Sequence, residues 1–127
     1  MNDEIEFMEG GAYFSLATRK RSGDFVPTPV WFAPAGGSYY VFSAGNAGKV
    51  KRLRNFAEAR VAACTVTGSL TGPWHEASAE LLTDPADQST ALAALRNKYG
   101  WQMTLGDVLS HLTGKYRKRA YIRVTLA

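Results

Sequence analysis

Two prolines two residues apart, Pro27 and Pro29 in the run Phe25-Val26-Pro27-Thr28-Pro29-Val30-Trp31-Phe32-Ala33, constrain this 127-residue chain more than any other feature. The run is rich in aromatic and β-branched residues and reads as a strand. Backbone groups alternate sides along a strand, so both missing N–H groups fall on the same edge. That edge cannot complete a hydrogen-bonded ladder, whereas Thr28 and Val30 can pair on the other side. Carbonyls and the N–H of Trp31 are left free there. They can meet a flat, polar-rimmed ligand, or the prolines can simply protect an ordinary edge strand from aggregation.

The rest of the chain supplies partners for that strand. Ala12 to Arg19 alternates as a strand, with a turn at Arg21-Ser22-Gly23-Asp24, and Ser38 to Ala44 is a third strand after Pro34-Ala35-Gly36-Gly37. From Lys49 to about Glu58 the apolar residues Val50, Leu53, Phe56 and Ala57 have helical spacing. Arg60 to Thr67 and Trp74 to Leu82 return to strand, and Arg117 to Leu126 is the sixth. Asp84-Pro85 opens a helix that runs to about Tyr99, with proline where a first turn tolerates it. Gly100 to Gly114 is a shorter helix or a loop. Six strands joined by short connections predict one mainly β domain over residues 1–127, a small six-stranded split barrel with accessory helices. Short connections argue against a parallel, doubly wound sheet.

Composition narrows the setting. Hydrophobic residues make up 46% and charged residues 20%, ordinary values for a globular domain. No run of eighteen apolar residues is present, so no membrane partner is expected. The acidic start Met1-Asn2-Asp3-Glu4 and the single Cys64 suggest the cytoplasm. The net charge is +4, and its cations cluster: Lys49, Lys51, Arg52, Arg54 and Arg60 in one stretch, Lys115, Arg117, Lys118, Arg119 and Arg123 in another. Such asymmetry favours an anionic partner.

The first cluster opens the expected helix, with Glu58 near its far end. A helix macrodipole favours the opposite order, so an anion held at the start would remove the penalty. At about 100° per residue, Lys49 lies within the arc of Val50, Leu53 and Phe56 and begins on the inward side. Lys51 points to solvent, and Arg52 and Arg54 flank the apolar stripe. Lys49 is therefore the first ligand candidate, with Arg52 or Arg54 second; a solvated basic face is the alternative. Ser43 is either a phosphate donor or a turn residue. Tyr99 and Trp101 either cover a ligand or bury against the barrel. His75 shares its strand phase with Ala77, Ala79 and Leu81 and reads as buried or interfacial. Cys64 reads as core within its strand. His111 has no partner at metal-ligand spacing, and no hydrolase triad is present.

Taken together, Pro27-Thr28-Pro29-Val30-Trp31-Phe32, Tyr40-Val41-Phe42-Ser43, Gly48-Lys49-Val50-Lys51-Arg52-Leu53, Cys64 with Gly72-Pro73, Glu76 to Leu82 and Lys98-Tyr99-Gly100-Trp101-Gln102 resemble the pyridoxamine-5′-phosphate-oxidase-like split barrels. They are most similar to the branch termed F420-dependent, over residues 12 to 102. The resemblance implies a homodimer with cofactor sites between subunits and a small-molecule substrate. The cofactor would be FMN or the deazaflavin F420, serving an oxidoreductase by hydride transfer. Thr28, Pro29, Val30 and Trp31 would line its ring through backbone groups. Ser43, Gly48 and Lys49 would hold its phosphate, with Arg52 or Arg54 assisting, and no catalytic acid or base is implied. Ala47 stands where relatives commonly carry serine, which removes one phosphate hydrogen bond, and Phe56-Ala57 stands in place of Asn-Pro. Tyr121-Ile122-Arg123-Val124-Thr125-Leu126-Ala127 lacks the arginine-rich ending of true pyridoxamine-phosphate oxidases, whose reaction is not expected. A cofactor carrier or sensor on the same fold is one alternative. A nucleic-acid-binding barrel is another, disfavoured because Tyr39, Tyr40 and Phe42 alternate within a strand as core or interface residues do.

Overall fold

The computed structural model describes residues 3–103 and 119–127. In chain order the elements are α1 (Asp3–Gly10), β1 (Phe14–Arg19), β2 (Phe25–Val30), β3 (Phe32–Ala35), β4 (Ser38–Ala44), α2 (Gly48–Leu53), β5 (Glu58–Ala63), β6 (His75–Leu81), α3 (Pro85–Tyr99) and β7 (Arg119–Leu126). Seven strands form one sheet among the described residues, in the order β2-β1-β5-β6-β7-β4-β3. Every pairing is antiparallel.

The two ends of this sheet, β2 and β3, are consecutive in the chain and separated by Trp31 alone. A sheet whose end strands are joined by one residue has to curl round on itself. The expected split barrel is therefore the fold, with its seam at Trp31. The expected single strand Phe25–Ala33 is corrected to two, so six strands become seven. Prolines explain half of the break. β2 pairs only with β1, with Leu16 opposite Thr28, Phe14 opposite Val30 and Thr18 opposite Val26. Pro27 and Pro29 have no N–H, so those three are the hydrogen-bonded pairs and the proline carbonyls face outward.

The other half is Tyr99, the last residue of α3. Its hydroxyl accepts from the Phe32 N–H at 2.9 Å and lies 2.7 Å from the Ala12 carbonyl and 2.8 Å from that of Phe32. Its ring stacks on Trp31, centroids 4.3 Å apart and 7° from parallel. A side chain thus satisfies backbone groups that a neighbouring strand would otherwise have taken.

Alternation fills the barrel. Phe14, Leu16, Val30, Phe32, Tyr39, Val41, Val61, Ile122 and Val124 form its buried interior. Phe14 and Phe32 stack at 4.1 Å, and Tyr39 stands edge-on to both at 5.8 Å. α3 covers the outside, where Ala91, Leu95 and Tyr99 pack near Ala33, Tyr40 and Tyr121. Asp84 caps it by accepting from the Ala86 N–H at 2.9 Å. α2 brings Val50 and Leu53 into contact with the core. α1 was not expected from its acidic sequence. Met8 is fully buried, and the Glu9 carboxylate accepts from the Tyr39 hydroxyl at 2.7 Å.

Other boundaries shift. The helix expected over Lys49–Glu58 ends at Leu53, and Glu58 instead opens β5 and pairs with Arg19 at 3.1 Å. The strand expected over Arg60–Thr67 ends at Ala63, and Cys64 follows it in an isolated bridge to Leu70. His111, Lys115, Arg117, Lys118 and most of the Gly100–Gly114 segment lie outside the described residues. No described helix is long and apolar enough to cross a membrane.

Substituting Tyr99→Phe keeps the ring but leaves the buried Phe32 N–H without its acceptor. Urea denaturation should show a loss of about 1–3 kcal/mol. An unchanged midpoint would mean that the hydroxyl does not hold the seam.

Candidate anion-binding site

α2 follows β4 through a tight turn in which the Ala47 N–H donates to the Ala44 carbonyl at 3.1 Å. Ala47 is the N-cap and offers no side-chain cap. With only six residues, the helix overturns the expected charge reversal. Lys51 and Arg52 stand in its last turn, where cations are favoured, and Glu58 belongs to the next strand. What marks the site is the arrangement of side chains.

Arg52 turns toward the barrel, where its Nε donates to the Thr18 hydroxyl at 2.6 Å. Thr18 is completely buried and shares the inward face of β1 with Phe14 and Leu16. The guanidinium also lies against the bare α-carbon of Gly48. A Cβ there would come within 2.9 Å of Nη1 and 3.6 Å of Cζ and Nη2. Beside it, Lys49 is half-buried, and its ammonium is pushed below the ordinary lysine value, first by burial and then by the positive charge of Arg52. Among the described residues, no carboxylate pairs with either cation.

That lack sets them apart from the arginines of the barrel wall. Arg19 pairs with Glu58, Arg60 with Glu76 at 3.0 Å, and Arg123 with Glu80 at 2.7 Å and Asp87 at 3.1 Å. The Lys98 amine is also without a hydrogen bond, but it is buried over the Phe32 ring at 3.5 Å and its pKa is pushed down to about 8 by burial. Lys49 and Arg52 instead remain partly exposed. Two like charges close enough to perturb one another, with no internal counterion, favour capture of an anion from solution.

The other expected site residues divide. Ser43 is buried, and its hydroxyl donates to the Ala44 carbonyl at 3.1 Å; it bonds neither Lys49 nor Arg52. Arg54, at the helix C-cap, is exposed and its side chain makes no hydrogen bond or ion pair among the described residues; Lys51 is exposed as well. Thr28 is half-buried and Val30 buried. A Cβ at Gly68, in the β5–β6 loop, would come to 3.7 Å from the Pro29 ring. The Trp31 side chain is committed to Tyr99 and, edge-on at 6.3 Å, to Phe42. Val26 is the register partner of Thr18. Trp31 lies five residues further on, roughly 16 Å at the usual rise of a strand. Gly48, Lys49 and Arg52 thus come together, Thr28 to Trp31 run along an edge leading away from them, and Arg54 stands apart.

Thr18 went unanticipated, although a hydroxyl in phase with Phe14 and Leu16 was a readable signal. Trp101 is exposed, while Tyr99 is buried at the seam. Burial pushes the Cys64 thiol up, which makes it a poor nucleophile. His75 is half-buried, with its Nε2 enclosed and unpartnered. No metal-binding group of histidine, cysteine and carboxylate occurs among the described residues.

No protein-family model matches the chain, and no curated protein matches it. Solved structures do. The haem storage protein HutZ of Vibrio cholerae superposes with a TM-score of 0.71 at 14% identity, covering 98% of this chain and 88% of that one. A Listeria innocua protein provisionally assigned as a pyridoxamine 5′-phosphate oxidase gives 0.62 at 10% identity, covering 96% and 89%. An FAD-binding protein of Mesorhizobium loti gives 0.60 at 15% identity, covering 96% and 84%. The chain shares the split-barrel fold of these proteins.

Replacing Arg52 with methionine removes the charge beside Lys49 while keeping a long side chain. The Lys49 pKa should rise toward the ordinary lysine value, as read by NMR titration of the labelled lysine side chain. No movement would mean that the two cations do not share a site.

Proposed function

We propose that this chain binds a flavin-type cofactor, FMN or the deazaflavin F420, and acts as an oxidoreductase that moves a hydride between the cofactor and a small molecule. One observation carries the reading: an uncompensated Lys49–Arg52 pair at the α2 end of the barrel, with an unpaired, carbonyl-rich strand edge leading from it to the seam. The residues present fit such a group. A cation pair suits a phosphate, the missing Cβ of Gly48 admits the Arg52 guanidinium, and the outward carbonyls of β2 suit a ring whose edge donates and accepts.

In this reading Lys49 and Arg52 grip the phosphate. Ser43 contributes only after its hydroxyl turns from the Ala44 carbonyl. Arg54 and Lys51, exposed beyond the pair, suit the longer polyanionic tail of F420. The backbone of Thr28 to Trp31 orients the ring. The bound cofactor supplies the hydride chemistry; the protein supplies position and electrostatics. We place the cofactor between two subunits of a homodimer, the β2 edge and the Lys49–Arg52 pair being one protomer's share of the site. Phe7, Val66, Leu70 and Trp74 are exposed apolar residues that such an assembly would cover. A second reading, a carrier without turnover, draws on the haem storage protein that shares the fold. Stopped-flow reduction separates the two, because a carrier binds its chromophore without turning over reductant.

Titration of purified protein with FMN and F420, followed by visible absorption, tests the reading; no binding of either at micromolar concentration would end it. The Lys49→Met variant should weaken FMN about 10- to 100-fold, the range for losing a charged hydrogen bond. Riboflavin, which lacks the phosphate, should be unaffected. The sign of the pH effect follows. A bound phosphate favours the charged amine, so FMN affinity falls as pH rises through the lowered pKa of Lys49, and Lys49→Met flattens that fall.

A further inference from the structure

The inward face of β1 reads Phe14, Leu16, Thr18, and its last member is out of character. Thr18 is as buried as the two apolar residues, and its register partners Val26 and Ala59 are apolar. Valine would fill the same volume without a polar atom to satisfy. A buried hydroxyl costs stability unless bonded. The partner is not a backbone group but the Nε of Arg52 at 2.6 Å, on an element 34 residues away.

A guanidinium has five N–H groups in a rigid planar fork. Holding Nε from the barrel side fixes the plane and leaves Nη1 and Nη2 for another acceptor. Gly48 forms the opposite wall, since any Cβ there would strike Nη1 at 2.9 Å. Arg52 is thus held at its root by Thr18 and flanked at its tip by a residue without a side chain. It has no carboxylate partner among the described residues, and it lies close enough to Lys49 to depress that amine.

We propose that Thr18 is a positioning residue. It orients Arg52 so that the two terminal nitrogens meet a phosphate oxygen pair side by side, while Gly48 keeps the slot open. This rests on the reading of Lys49 and Arg52 as the phosphate grip. Thr18 itself touches no ligand. Its contribution is to fix the fork before binding, so that less freedom is lost when the anion arrives.

The experiment compares FMN with riboflavin in the wild type, Thr18→Val and Thr18→Ser. The wild type should prefer FMN. Thr18→Val, which keeps shape and removes the acceptor, should lower that preference about tenfold, the size expected when an oriented charged hydrogen bond is loosened. Thr18→Ser should restore it. A purely structural role would alter thermal stability and move both ligands alike. An FMN-to-riboflavin ratio in Thr18→Val within twofold of wild type overturns the proposal, as does failure of serine to rescue. Gly48→Ala, which displaces Nη1 from the other side, should lower the same ratio with a small change in stability; an unchanged ratio counts against the slot. Should wild-type protein fail to prefer FMN, the phosphate reading itself falls. Inorganic pyrophosphate, titrated against the Arg52 Nε–H signal, then decides the role of Thr18 separately. A pyrophosphate-dependent shift lost in Thr18→Val supports positioning, and no shift in the wild type overturns it.

Discussion

The unmet backbone hydrogen bonds beside Trp31 organise the molecule. A closed antiparallel barrel would carry one continuous strand from Phe25 to Ala35, but Pro27 and Pro29 remove two donors from its outer edge. The strand leaves the sheet at one end and rejoins it at the other, with Trp31 between. Tyr99 makes this tolerable by bonding both groups of Phe32 and stacking on Trp31. Burial pushes the Tyr99 hydroxyl up to about 12, so it remains a donor throughout the physiological range. The same contact anchors the end of α3, which then covers the outer face of β3, β4 and β7.

Opening the barrel creates the edge on which the proposed function depends. At the seam the surface is apolar and aromatic; at the far end of the same strand pair it is cationic. Charge is handled differently in the two halves of the sheet. Arg19, Arg60 and Arg123 lie across strands from acids and are paired, which neutralises the barrel wall. Lys49 and Arg52 sit on a short helix with no acid beside them. Their mutual repulsion is a cost in the free protein that a bound anion would remove. Thr18 holds the arrangement by giving Arg52 a neutral anchor, leaving its charge uncompensated where a carboxylate would have cancelled it.

Fold alone leaves the chemistry open, since split barrels of this shape include an FAD-binding protein and a haem storage protein. The distinction rests on site residues. The cation pair and proline edge suit a phosphorylated ring cofactor. Burial pushes the Cys64 thiol up, which argues against a covalent alternative.

Much was legible in the sequence because it depends on local pattern. Alternation located most strands, Asp84-Pro85 marked the start of α3, and the paired prolines marked an edge whatever lay beside it. Helical phasing separated the half-buried Lys49 from the exposed Lys51. Other features belong to the tertiary structure. The seam at Trp31 required Tyr99, distant in sequence, to take the freed backbone groups. The helix after β4 is short because the chain from Glu58 onward pairs with β1 and β6 as β5, which removes the dipole reason for an anion. α1 is not legible in the sequence because the burial of Met8 and the bond of Glu9 to Tyr39 do not show as periodicity. Sequence alone determined that a lysine and an arginine stand near a glycine. Only the fold placed Thr18 beneath that arginine, because a contact across 34 residues depends on how the barrel closes.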